Sequence, residues 1–139
     1  MDTKNLEKII QLHEGYKQKV YKCPAGYLTV GIGRNVQTKG LSIQEALYLL
    51  RNDIQECQNL LEPYVWYSTL DDIRKGVLIE LCFNLGLYGL LKFKKTLVRI
   101  ANEEWDEAAD ELCRSKWSQQ VGPARRENIC YRLKYGQYP

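Results

Sequence analysis

Hydrophobic and polar residues near the N-terminus follow the period of an amphipathic helix. The positions with the spacing i, i+3, i+4, i+7 are occupied by Leu6, Ile9, Ile10 and His13. This spacing predicts a helix from about Thr3 to Glu14, which Gly15 ends as a C-terminal cap. Glu14 would then lie at the negative end of the helix dipole, and this position together with poor solvation would disfavour an ionised carboxylate. A carboxyl group in that environment is suited to act as a general acid.

The pattern changes from helical spacing to strict alternation directly after this helix. Residues 19–23 and 27–32 are predicted to form two strands around the turn at residues 24–26. Cys23 ends the first strand, and Thr29 lies on one face of the second strand. We therefore expect a hairpin that brings a thiol and a hydroxyl close together beside the end of the first helix.

Helical spacing dominates the rest of the chain. A capping box that begins at Ser42 opens a long apolar stripe, which Pro63 ends. Ser68 is predicted to cap a second long helix that stops at Gly86 and forms the hydrophobic centre of the protein. Pro123 is predicted to start the last helix. The sequence therefore predicts an α+β protein that is predominantly helical and contains one small hairpin.

Length and composition are compatible with a small soluble enzyme. A chain of 139 residues that is 45% hydrophobic and 27% charged can bury about two-thirds of its surface as one unit. It has no run of eighteen apolar residues, and its first ten residues lack the layout of a secretory signal. We therefore expect no signal peptide and no stable membrane insertion.

The cysteines are odd in number and include no C-x-x-C pair. The five are Cys23, Cys57, Cys82, Cys113 and Cys130. This distribution argues against a disulfide framework and against a zinc site. We expect reduced thiols and no bound metal, which suits synthesis in a cytoplasm.

Basic residues form two clusters within a modest net charge of +3. One cluster contains Lys92, Lys94, Lys95 and Arg99, and the other contains Arg125, Arg126, Arg132 and Lys134. Solvated helix faces are the simplest interpretation, and such faces would also attract anionic polymers. The clusters leave open a small nucleic-acid-binding protein, but the sequence shows no motif that enters a groove, so we expect no nucleic-acid partner.

The motifs described above resemble those of one enzyme family. The helix-end pair Glu14-Gly15, the hairpin and the Thr-x-Gly-x-Gly pattern of residues 29–33 are similar to the phage-type lysozymes, glycoside hydrolase family 24. Further landmarks of that family follow in the same order at residues 82–86, 105–109, 115–117 and 120–126. The resemblance therefore covers nearly the whole chain.

The resemblance implies a two-lobed, lysozyme-like fold. It predicts a single lysozyme domain over residues 1–139. Within it, a small hairpin lobe would span about residues 14–55, and a larger helical lobe would span about residues 1–13 and 56–139. No cofactor is expected, and we expect a monomer.

The resemblance also implies roles for three residues. Glu14 would protonate the glycosidic oxygen, while Cys23 and Thr29 would activate or position a water molecule. Cys23 departs from the family pattern, which has an Asp at this position, and two routes stay open. A water-mediated, inverting route needs roughly 6.5–9.5 Å between acid and base, whereas direct attack by the sulfur needs about 5 Å. Cys23 could instead be a packing residue.

Three further positions are predicted to contact the substrate. Gly31, like Gly33, is interpreted as a place where substrate or another backbone approaches closely. Asn84 could bind a sugar acetamido group, or serve in helix capping or packing. Phe93 is expected to line the substrate surface and to continue the core. His13, the only histidine, is expected to pack in a core or beside the catalytic residues rather than to act in catalysis, and it is not expected to bind a metal.

The activity that the resemblance implies is hydrolysis of the β-1,4 bond between N-acetylmuramic acid and N-acetylglucosamine in bacterial peptidoglycan. The protein would be an endolysin that accumulates in the host cytoplasm. It would reach the cell wall after a separate holin permeabilises the membrane. The alternative is a catalytically inactive peptidoglycan-binding relic, inactivated by the cysteine at position 23.

Overall fold

The computed structural model describes residues 1–139 and confirms a predominantly helical α+β protein with one small antiparallel sheet. The strands are β1 (Lys17–Lys22), β2 (Leu28–Gly31) and β3 (Arg34–Asn35). The helices are α1 (Lys4–Glu14), α2 (Val36–Lys39), α3 (Ile43–Leu61), α4 (Val65–Ser68), α5 (Asp72–Leu91), α6 (Lys94–Ala101), α7 (Trp105–Cys113), α8 (Lys116–Gln120) and α9 (Pro123–Tyr135). The chain divides into two compact units, Met1–Leu49 and Leu50–Pro139.

The predicted hairpin is present in the first unit and is extended by a third strand. β1 and β2 are antiparallel, with Tyr21 opposite Thr29. β2 also pairs with β3, where Thr29 lies opposite Asn35. The register is irregular between Lys17 and Tyr21, and β1 begins two residues earlier than the alternation predicted. Thr29 is therefore in the central strand of the sheet.

The predicted capping box at the start of α3 is confirmed. Ser42 Oγ accepts a hydrogen bond from the backbone N–H of Glu45 at 3.1 Å, and Glu45 Oε1 accepts one from the backbone N–H of Ser42 at 2.9 Å. Glu45 Oε2 also forms an ion pair with the guanidinium of Arg34. Because Arg34 directly follows Gly33, this pair ties the end of the hairpin to the start of α3.

α1 ends at Glu14 as predicted, but its apolar stripe is not buried. Leu6, Ile9 and Ile10 are 48%, 50% and 45% exposed, and no residue of α1 is buried. Within the first unit, α2 is the helix that packs most closely against the sheet. The expectation that His13 packs in a core is therefore wrong, since its side chain is exposed.

α5 is the centre of the hydrophobic core in the second unit. Its buried residues are Val77, Leu78, Leu81, Cys82 and Leu90. Asp71, and not Ser68, caps this helix, because Asp71 Oδ1 accepts a hydrogen bond from the backbone N–H of Arg74 at 2.9 Å. Ser68 instead ends the short helix α4. Gly86, the predicted stop, has φ 73° and ψ 168° and breaks the helical backbone, after which the chain turns helical again up to Leu91.

The helices were compared with the length and hydropathy that a membrane-spanning helix needs. No single helix combines the length and hydropathy that a span requires. Only α5 and α6 taken together reach them, and this pair is bent by 102°. α6 contributes Leu97 and Ile100 to the same core as α5.

The boundary between the two units falls between Leu49 and Leu50, and α1 belongs to the first unit. The predicted lobes, at about 14–55 and at about 1–13 with 56–139, differ from this division at both ends. Only Gly15 and Tyr16 separate α1 from β1, so the helix is grouped with the hairpin that it precedes. A single domain over residues 1–139 stays a prediction.

The expectation of five reduced thiols is wrong at two positions. Cys113 and Cys130 form a disulfide, with their Cα atoms 6.4 Å apart. Cys113 ends α7 and Cys130 lies in α9, and these two helices pack against each other. The two cysteines are 17 residues apart, and the packing of the two helices brings them together. No local sequence motif could therefore predict the pair. Cys23, Cys57 and Cys82 are free.

Candidate active site

Glu14 is the last residue of α1. Gly15 adopts φ 71°, and its N–H donates to the carbonyl of Gln11 at 2.8 Å, which closes the last turn of the helix. The Glu14 side chain is exposed, so the poor solvation that the sequence analysis expected is absent. The feature that the structure retains is the position at the negative end of the helix dipole.

The carboxyl group of Glu14 lies against the backbone of Gly33, in the loop between β2 and β3. A Cβ atom added to Gly33 would lie 2.8 Å from Oε2, 3.0 Å from Cδ and 3.2 Å from Cγ of Glu14. Gly33 also has φ +68°, in the left-handed region that favours glycine. The end of α1 therefore contacts the end of the hairpin at a residue with no side chain. A close approach at Gly33 was expected from the Thr-x-Gly-x-Gly pattern, but by substrate or another backbone rather than by the Glu14 side chain.

Cys23 lies at the turn of the hairpin. Its N–H donates to the carbonyl of Tyr27 at 2.9 Å, and its carbonyl accepts from the N–H of Gly26 at 2.8 Å. In this turn the backbone N–H of Tyr27 faces the sulfur and lowers the pKa of the Cys23 thiol. Desolvation opposes the effect, while the N–H of Ala25, the hydroxyl of Thr29 and the N–H of Gly26 add to it. Cys23 therefore ionises more readily than an ordinary cysteine.

Thr29 supports Cys23 from the adjacent strand. Thr29 is 2% exposed, and it is the one residue of the first unit that is buried. Its hydroxyl donates to the carbonyl of Tyr27 at 3.0 Å. A hydroxyl has one proton, so it can satisfy either this carbonyl or an ionised sulfur, but not both. Its burial and this bond fit a residue that holds Cys23 and the turn in place better than one that binds a water molecule exposed to solvent.

The three predicted catalytic residues thus lie in the first unit, on α1 and on the hairpin. Cys23 and Thr29 are brought together at the turn end of β2. Glu14 is brought against Gly33, just beyond the other end of β2. Glu14 and Cys23 therefore lie near opposite ends of the short strand β2.

The predicted substrate-contacting residues have different environments. Gly31 has φ +70°, and no heavy atom lies within 4 Å of the position that a Cβ would take, so the space beside it is open. Phe93 precedes α6 and is half-buried against the core of the second unit. The core role expected for Phe93 is confirmed, and its contact with substrate stays a prediction.

Asn84 is exposed near the break in α5, and its side chain holds a buried tryptophan. Asn84 Oδ1 accepts a hydrogen bond from Nε1 of Trp117 at 3.1 Å, and Trp117 is 4% exposed. This contact gives Asn84 the packing role that the sequence analysis left open. Its binding of a sugar acetamido group stays a prediction.

Replacing Asn84 with alanine is expected to destabilise the protein by about 1–2 kcal/mol, because the indole N–H of Trp117 loses its acceptor. The free energy of unfolding in urea measures this effect. In a Trp117→Phe background, which has no N–H, the cost of Asn84→Ala should fall by about half or more. An equal cost in both backgrounds would contradict the assigned hydrogen bond.

Several residues of the basic clusters are engaged in ion pairs. Glu80 accepts from Nε of Arg125 at 3.2 Å and from a terminal nitrogen of Arg132 at 2.8 Å. In the other basic cluster, Arg99 forms an ion pair with Glu104. These contacts lower the charge available for a polyanion. No group of three or more His, Cys, Asp or Glu side chains is arranged to hold a metal ion.

Comparison with known proteins decides the family. The family model described as Phage lysozyme matches residues 11–130, a range that includes α1's last turn, the hairpin and most of the second unit. The chain belongs to the phage lysozyme family. The resemblance noted from the motifs is thereby confirmed, and the protein is a lysozyme-type glycoside hydrolase that acts on peptidoglycan.

Individual relatives of this phage-type lysozyme come from a cellular organism and from a phage. "Probable T4-type lysozyme 2" of Dictyostelium discoideum is 29% identical in an alignment 156 positions long with its gaps, covering 90% of this chain and 91% of the relative. "Probable T4-type lysozyme 1" of the same organism is 26% identical, covering 95% of each chain. The "SAR-endolysin" of Haemophilus phage HP1 is 35% identical over 89 residues, covering 62% of this chain and 47% of the relative.

Proposed function

We propose that this lysozyme hydrolyses the β-1,4 bond between N-acetylmuramic acid and N-acetylglucosamine, with Glu14 as the general acid. The carrying observation is the position of Glu14 at the end of α1, with its carboxyl group against Gly33 of the hairpin. Glu14 donates its proton to the glycosidic oxygen as the bond from that oxygen to the anomeric carbon breaks. The departing sugar thereby leaves as a neutral alcohol.

Cys23 acts as the base in this proposal. The ionised sulfur takes a proton from a water molecule, whose oxygen forms the new bond to the anomeric carbon. The support for this role is the set of turn N–H groups that lowers the pKa of the Cys23 thiol. A thiolate is present at neutral pH in a larger fraction than for an ordinary cysteine, which is only a few per cent ionised. Thr29 holds Cys23 and its turn in position.

Attack of the Cys23 sulfur on the anomeric carbon is the competing route. It would release the leaving sugar, form a thioglycoside with the enzyme and then require water to hydrolyse that bond. The water-mediated route is preferred because it needs no covalent intermediate. The two routes differ in the anomer first released, which is inverted in the former and retained in the latter.

We propose an endolysin that lyses a phage host, produced in the host cytoplasm and released to the wall by a separate holin. The similarity to a protein named as an endolysin of a phage supports the endolysin role alone, and the cytoplasmic location and the holin are inferred from the family resemblance. Relatives in Dictyostelium discoideum show that family members also occur in a cellular organism.

Mass spectrometry of soluble products from purified peptidoglycan tests the proposed reaction. The reduced enzyme should release muropeptides that carry a hydrated muramic acid at the reducing end. Glu14→Gln protein, prepared in parallel, should release none. Products that end in N-acetylglucosamine would assign a different bond, and a folded wild-type protein without products would favour a wall-binding relic.

A further inference from the structure

The contact between the Glu14 carboxyl group and Gly33 bears on how the acid is positioned. We propose that Gly33 is a positioning residue that sets where the Glu14 carboxyl group is held, a role that rests on the proposed function of Glu14 as the acid. All of the three nearest heavy atoms around a Cβ at position 33 belong to the end of the Glu14 side chain. The bare Cα of Gly33 is thus the surface against which this carboxyl group packs.

A methyl group added at position 33 would displace the Glu14 side chain and leave the surrounding backbone in place. The atoms it would meet are the far end of a flexible and exposed side chain, not backbone. Restoring ordinary contact from 2.8 Å requires Oε2 to move by about 0.6 Å or the side chain to change rotamer. A shift of about 1 Å in a catalytic group can lower a rate by roughly 100-fold.

The surroundings of Gly33 limit any compensating movement of its loop. Thr29 anchors β2 in the centre of the sheet, and Arg34 forms an ion pair with Glu45 at the first turn of α3. The loop that carries Gly33 is therefore attached on both sides within the first unit. The side chain of Glu14 is the part that moves.

Gly40 provides a matched control because its φ angle is similar to that of Gly33 but its surroundings are open. Gly40 has φ +65°, close to +68° at Gly33, and nothing lies within 4 Å of a Cβ at this position. Gly33→Ala and Gly40→Ala therefore impose similar backbone strain. The contact with Glu14 is the difference between them.

The test measures kcat and KM with soluble, uncrosslinked peptidoglycan strands by the appearance of new reducing ends. Gly33→Ala is expected to lower kcat by about 10- to 100-fold with KM within about 2-fold of wild type. Gly40→Ala should leave both within about 2-fold, while the two variants lose similar thermal stability. Equal kcat in the two variants, or a loss confined to KM, would overturn the proposal.

A measurement on the wild-type protein covers the case in which Gly33→Ala does not fold. A nuclear Overhauser contact between the Hα protons of Gly33 and the Hγ protons of Glu14 is expected, and its absence would overturn the proposed contact. This result does not depend on turnover. If the contact is present but the wild type releases no product, the proposed function fails while Gly33 still holds the Glu14 side chain.

Discussion

Replacing Glu14 with glutamine is expected to lower kcat by about 1,000-fold and to leave KM and thermal stability nearly unchanged. The amide has almost the same shape as the acid, so its packing against Gly33 is retained. It carries no acidic proton, however, and the glycosidic oxygen would have to leave as an alkoxide. Initial rates on soluble peptidoglycan strands, with circular dichroism as a check of folding, measure the effect.

Glu7→Gln is the matched control for this substitution. Glu7 lies in the first turn of the same helix, where its carboxylate accepts a hydrogen bond from the hydroxyl of Thr3 at 2.7 Å. A glutamine oxygen can accept the same bond, and Glu7 has no part in the proposed site. Its kcat should stay within about 2-fold of wild type. If Glu14→Gln retains a similar rate, another group supplies the proton.

Cys23→Ser is expected to lower kcat by about 100-fold, whereas Cys23→Asp should retain activity within about 10-fold of wild type. Serine removes the ionisable group at nearly constant size. Aspartate supplies a carboxylate, and the N–H groups of Tyr27, Ala25 and Gly26 that favour an ionised sulfur would favour this charge as well. Rates of the three proteins at a common pH measure the effect.

The pH dependence of activity separates a base from a packing residue at position 23. A thiolate base loses activity as the pH falls through its pKa, which the N–H groups of this turn lower from the ordinary value of a thiol. In Cys23→Asp the same limb should move to lower pH, because a carboxyl group has a pKa near 3.9. An unmoved limb would remove Cys23 from the base role.

Alkylation reports directly on the Cys23 thiolate. Iodoacetamide should modify Cys23 first, because the other free thiols, Cys57 and Cys82, are only 7% and 2% exposed. Burial, together with a hydrogen bond to Cys57, raises the pKa of Cys82 to about 12, so it stays protonated. Peptide mapping should find the first adduct on Cys23, and activity should be lost in proportion to the fraction of Cys23 that is modified.

The anomer first released distinguishes the two routes for Cys23. Proton NMR of the early products should show inversion if sulfur activates water. Retention, or a thioglycoside adduct in the mass of the intact enzyme, would assign direct attack by sulfur instead. A folded but inactive Cys23→Asp would support the same conclusion, since a carboxylate in its place would then fail to activate water.

Local sequence patterns predicted part of the candidate site. Glu14 at a helix end and Cys23 beside Thr29 were both predicted, because each depends on residues a few positions apart in one helix or one hairpin. The burial of Thr29 was not, since it requires β3 as a third strand, whose two residues are too few to show a pattern. The exposure of Glu14 was also missed, because solvation depends on what packs around a side chain.

The sequence by itself determined the long helices and the β1–β2 hairpin, the capping box at Ser42, the start of α9 at Pro123 and the family. Spacing, caps and motifs act over a few residues, so they can be identified without a fold. The tertiary structure decided which distant groups meet: Cys113 with Cys130, Asn84 with Trp117, and Glu14 with Gly33. Periodicity shows which face of an element is apolar, but the partner of that face depends on how the elements pack, because such contacts join residues far apart in the chain.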